Sequence, residues 1–172
     1  MGIKIVMRTW QKCLILIVMV SVVAACATTP KLDLETVDES VRPAAVVNDI
    51  EKYKGVKILW GGVIINSVNL KQGTQFEILA QPLNSRYKPQ VDQKTIGRFI
   101  AYHSGYLETV DYAPGRLLTV VGTITQLKQG HIGEAEYTYP VVQAEQIYLW
   151  SQNGGEESGT FHFGIGVGMV FH

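Results

Sequence analysis

Between Val56 and Trp150 the chain is a series of short apolar, β-branched runs, and no stretch outside residues 43–54 keeps a helical period over three turns. A chain patterned in this way has to build its core from strands. The runs are "VKILWGGVIINSVNL" (56–70), "TQFEILAQPL" (74–83), "TIGRFIAYH" (95–103), "RLLTVVGTITQL" (116–127) and "YTYPVVQAEQIYLW" (137–150). In the second, Phe76, Ile78 and Ala80 alternate with Gln75, Glu77 and Leu79, which gives the strand an inward and an outward face. Gly61-Gly62 interrupts the first run, where a bulge or sharp bend is expected. The polar stretches 84–93 and 128–136 read as loops. So does "SGYLETVDYAPG" (104–115), taken as the largest connection, between strands three and four.

Five strands, the first long and bent, predict an all-β fold: a small OB-like barrel of five to six strands, with an open sandwich as the competing architecture. Closure would hide the sheet edges. That matters because the two cysteines are Cys13 and Cys26, so no disulfide can form within the residues that follow. Ahead of the strands, Val46, Val47, Ile50 and Tyr53 recur at helical spacing, Pro43 suits a first helical position and Gly55 a stop. One short helix is expected there.

Residues 1–25 combine a basic start (Lys4, Arg8, Lys12), the apolar run "CLILIVMVSVV" and two alanines. This is the layout of a cleaved signal peptide. The apolar run is about half of the roughly 20 residues that span a bilayer. Val23-Ala24-Ala25-Cys26 resembles the lipobox of bacterial lipoproteins. The resemblance implies cleavage between Ala25 and Cys26, a diacylglycerol thioether on Cys26 and an acyl chain on its new amino group. No other cofactor is expected. Ordinary secretory cleavage, with Cys26 incidental, is the plainer alternative. Ala27, where inner-membrane lipoproteins typically carry Asp, implies sorting to the outer membrane. Residues 26–42 then read as a lipidated tether and 43–172 as the domain. After residue 25, 12 basic residues stand against 15 acidic ones, a net charge of −3. That balance argues against nucleic acid as a partner.

A set of residues carries a wider resemblance: Trp60-Gly61-Gly62, Pro82-Leu83, Gly97-Arg98-Phe99, Gly115-Arg116 with Val120 and Gly122, Gly133-Glu134, and Tyr137-x-Tyr139-Pro140-Val141. In order and spacing they are similar to the Slp family of Gram-negative outer-membrane lipoproteins, linked to starvation and envelope stress. The likeness implies location and membership, not a reaction.

Candidate site residues each have two readings. Arg98 and Arg116 could grip a carboxylate or phosphate with their guanidinium forks, or pin loops by pairing with Glu108, Asp111 or Glu134. Trp60 and Trp150 could form a stacking platform for a sugar, or fill the core and plug the barrel ends. Glu134 and Glu136 would share a face if extended, a pairing that could serve acid–base work, or be solvated in a loop. His103, His131, His162 and His172 show no paired spacing, so no metal site is expected. With no G-x-S-x-G and no phosphate-cradling loop, no catalytic residues are assigned and an enzyme is not expected.

The tail "GTFHFGIGVGMVFH" (159–172) alternates apolar residues with glycine and histidine, as a transmembrane β-strand does. Alone, such a strand leaves its backbone groups unpaired in a bilayer. It reads better as a sixth strand paired to the fifth, with its glycines open to an oligomer or partner contact. Three functions follow. The first is an outer-membrane lipoprotein, on the periplasmic face, that stabilises the envelope or engages an envelope protein. The second is an OB-like module for glycan or a small anionic ligand, and the third a subunit of an oligomeric membrane assembly.

Overall fold

The structure is a computed structural model that describes residues 31–151 and, as backbone, 160–163. Two short helices, α1 (Pro43–Asn48) and α2 (Ile50–Tyr53), precede five strands: β1 (Lys57–Leu70), β2 (Gly73–Gln81), β3 (Gly97–Ser104), β4 (Leu117–Ile132) and β5 (Ala135–Leu149). A four-residue β6 (Thr160–Phe163) follows. The sheet order is β3-β2-β1-β4-β5-β6, and β3 also pairs with β5 in parallel, from Ile100↔Val141 to His103↔Ala144. That last pairing closes strands one to five into a barrel with the connectivity of an OB-fold. β6 runs antiparallel to β5 over Gln146–Leu149, as the sixth-strand reading expected; residues 164–172 lie outside the described residues.

Alternation decides which side chains fill the barrel. Phe76, Ile78 and Ala80 of β2 are fully buried, while Gln75, Glu77 and Leu79 are half-buried on the outside. Ile58, Trp60 and Ile64 of β1, Phe99 and Ala101 of β3, and Val142, Ala144 and Ile147 of β5 join them in one core. Val46 of α1 reaches that core, with Ile50 and Tyr53 packed on its edge. Leu107 and Tyr112, from the β3–β4 connection, pack at the Phe76 end, where the Phe76 and Tyr112 rings lie 5.2 Å apart.

Four local features differ from the pattern-based expectations. The helix breaks at Asp49, whose side chain accepts the Lys52 N–H and caps a second helix. The irregularity in β1 falls between Ile64 and Asn66, not at the glycine pair. Gly61-Gly62 runs in register and is needed for close approach: a Cβ on Gly62 would lie 2.0 Å from the Leu79 carbonyl oxygen. The stretch 128–136 is the far arm of a β4–β5 hairpin that turns on Gly133-Glu134, with Ile132 opposite Ala135. Gly133 has φ +60°, which suits a two-residue turn with glycine at its first central position. This arm extends past the core and offers only Ile132 for burial, so its sequence lacks the alternation that marks a strand. Finally, the longest connection is 82–96, between β2 and β3, rather than 105–116.

Candidate functional site

Trp60 and Trp150 lie inside. Trp60 is 3 % exposed, donates from Nε1 to the Val41 carbonyl oxygen at 2.8 Å and meets Phe99 edge-on at 5.2 Å. The Val41 contact, with the Asp38 N–H on the Lys57 carbonyl and the Asp33 N–H on Gln146 Oε1, lays residues 33–41 along the barrel. Asp33 is held below the usual carboxylate range by the Glu35 N–H it accepts and then by Lys57, 3.4 Å away. Trp150 is 2 % exposed and donates from Nε1 to Thr119 Oγ1 at 3.0 Å, and that hydroxyl donates to the Tyr87 carbonyl at 2.7 Å. Tyr87 itself has φ +64°. The Trp150 ring is therefore a core element that ties β5 to β4 and to the 82–96 connection, and with Trp60 almost fully buried the two do not form a stacking platform.

The arginines are also committed. Arg98 Nη1 lies 2.6 Å from Glu77 Oε1 across the β2–β3 pair, both side chains about one-fifth exposed. Tyr139 donates to the same Glu77 oxygen at 3.1 Å, and the Arg98 N–H donates to the Tyr137 hydroxyl at 3.0 Å. Burial, and then the Glu77 charge, raises the Tyr139 pKa. Arg116 donates through Nη1 to the carbonyl oxygen of Asp111 (2.7 Å) and through Nη2 to that of Trp150 (3.0 Å). It thus joins the β3–β4 connection to the end of β5 through backbone rather than through a carboxylate. Glu134 sits exposed at the hairpin turn, with Glu136 exposed beside it. Of the sequence-selected residues, Arg116 and Trp150 meet through that backbone bond, while Trp60, Arg98 and Glu134 sit on separate parts of the barrel.

Two concave regions stand out among the described residues. One, of about 390 Å³, lies between Val41, Arg42 and Trp60 on one side and Leu83, Asn84 and Tyr87 on the other. The second, of about 420 Å³, lies on the outer face of β2, β3, β4 and β5 and is lined by Gln75, Ile100, Tyr102, Thr125, Gln126, Lys128, Val141 and Gln143. Ile100 and Val141 point outward yet are only 6 % and 8 % exposed, because Tyr139, Tyr137 and Ile132 of the hairpin arm pack against them. Lys128 Nζ crosses this floor to reach Gln75 Oε1 at 3.0 Å. Sequence reading missed this groove. The period-two spacing of Gln75 with Glu77 and of Tyr137 with Tyr139 marks polar outer faces, but only closure through β3 brings the two faces together.

Among the described residues no three of His, Cys, Asp and Glu stand close enough to hold a metal ion, and no helix is long and apolar enough to cross a membrane. Fold and surface together define a small closed β-barrel domain of OB-like connectivity, with polar grooves on its outside. The chain belongs to the outer membrane lipoprotein Slp family, whose profile matches residues 23–164. Among its relatives, the outer membrane protein Slp of Escherichia coli is 32 % identical over 129 residues, 74 % of this chain and 68 % of that protein. An uncharacterized protein of Haemophilus influenzae is 39 % identical over 92 residues, 53 % of this chain and 50 % of that one. The uncharacterized lipoprotein YeaY of Escherichia coli is 33 % identical over 105 residues, 61 % and 54 %. The chain thus spans about half the length of the last two. No solved structure matches.

Proposed function

We propose that this protein is held at the outer membrane by lipid on Cys26, where its barrel has a structural or partner-binding role in the envelope under starvation and stress, without catalysis. One observation carries the reading. The family match begins at residue 23, so it takes in Val23-Ala24-Ala25-Cys26 together with the whole barrel. Acylation supplies the anchor: each buried CH₂ contributes about 0.8 kcal/mol, and several chains on one residue hold where a single chain is marginal. The geometry suits a short leash. Asp33 is already bonded to Gln146, so the chain between Cys26 and Asp33 spans at most about 25 Å at full extension. A domain leashed this closely works at the bilayer surface, and we place it on the periplasmic face. The non-enzymatic reading rests on how Trp60, Trp150, Arg98 and Arg116 are used: each holds strands or loops together.

Replacing Cys26→Ser and fractionating cells tests the anchor. Wild-type chain should sediment with outer membrane and carry a diacylglycerol thioether by mass spectrometry, whereas the variant should lose both. A variant that stays in the outer membrane with lipid attached would refute the reading.

A further inference from the structure

We propose that the groove on the outer face of β2, β3, β4 and β5 binds a neutral, polyhydroxylated ligand, a stretch of glycan chain. The hydrogen-bonding groups it leaves open carry the argument. Gln75 commits its oxygen to Lys128 and keeps its NH₂. Gln143 commits its NH₂ to the Tyr102 carbonyl and Ser104 Oγ, both at 3.2 Å, and keeps its oxygen. The Gln126 amide and the Tyr102 hydroxyl have no protein partner among the described residues. The groove therefore offers donors and acceptors side by side. A sugar hydroxyl is both donor and acceptor and can use both kinds. An anion would use only the donors, and a cation only the acceptors.

Charge and shape agree with this. Lys128 is the one charged side chain in the lining and is already bonded to Gln75, while the nearby Arg98 is paired with Glu77 outside it. No guanidinium is available for phosphate, and no carboxylate lines the groove for a basic peptide. Ile100 and Val141 are nearly covered, so the half-buried Tyr102 ring beside them is the surface left for the C–H face of a pyranose. The β4 register shift between Ile124 and Gln126 sets Gln126 at the rim, in keeping with bulges that re-aim a side chain. A volume of about 420 Å³ falls within the usual range of ligand sites.

The test is calorimetric titration of the full mature chain with the tetramer of N-acetylglucosamine, in a zwitterionic detergent because sugar-headed detergents would compete. Saturable binding is expected. Gln126→Ala and Tyr102→Phe should each weaken it about tenfold, the effect of one lost hydrogen-bonding group. Both remove unpartnered polar groups, so the melting temperature should match the parent and a folding defect cannot mimic the loss. No saturable heat up to millimolar tetramer, or binding that both variants leave unchanged, would overturn the proposal. So would saturable binding of inorganic phosphate in place of the tetramer. The titration can be repeated on the Cys26→Ser chain, so its failure leaves the anchoring proposal standing, and the reverse also holds.

Discussion

Arg98 follows Gly97 in a stretch whose nearest following acidic residues are Glu108 and Asp111, yet in the barrel it meets Glu77 on the neighbouring strand. The two are 21 positions apart in the chain and within a hydrogen bond in space. Side chains on strands are placed this way throughout, because the cross-strand partner rather than the sequence neighbour sets the environment. The burial of Trp60 and Trp150 was one of two readings open to the sequence, since tryptophan is large enough to fill a barrel end and polar enough to seek an acceptor. Tyr112 shows how burial becomes measurable. Its pKa is pushed above the ordinary value first by burial and then by the Asp111 charge, against a smaller pull from Arg116. The unfolded chain releases that proton near pH 10, before the folded chain does. The neutral phenol's contribution to stability is therefore complete below about pH 10 and drains away as pH rises toward the folded value. Urea unfolding on either side of about pH 10 should show wild-type stability falling, and Tyr112→Phe should make that fall shallower. An equal fall in both proteins would mean that Tyr112 ionises alike in the folded and unfolded chain.

Strands were legible where they bury one face and illegible where they do not. β2 alternates cleanly because Phe76, Ile78 and Ala80 enter the core, whereas the 128–136 arm of the hairpin buries little apart from Ile132 and reads as a loop. The glycine pair in β1 shows the converse. Its composition suggested a bend, but its actual requirement is space between three strands: a Cβ on Gly61 would lie 2.7 Å from the Leu118 carbonyl oxygen, and one on Gly62 closer still to Leu79. Gly62→Ala must push β2 away from β1 and should cost about 1–3 kcal/mol, the range for overpacking a well-packed interior. Equilibrium urea unfolding measures this directly. A variant as stable as the parent would show that the β1–β2 spacing is slack.

The whole molecule solves its stability problem through closure. With no cysteine after Cys26, a covalent brace within the domain is impossible, and the β3–β5 pairing seals the edges that an open sheet would expose. Melting temperatures of the domain with and without a reducing agent should therefore coincide. A marked drop on reduction would show that the domain leans on a disulfide rather than on closure. The same closure explains the placement of the outer groove. β5 carries β3 on one edge and β4 on the other, so outward residues from four strands gather over Ile100 and Val141.

The amino-acid sequence by itself determined the all-β class, five strand cores and the inward face of β2. These depend on local chemistry: side-chain branching and period two. Only the tertiary structure decided which strands adjoin, which acid meets Arg98 and where open polar groups collect. Those outcomes depend on contacts between residues far apart in the chain, set by strand register and by the parallel β3–β5 closure, which no local pattern records.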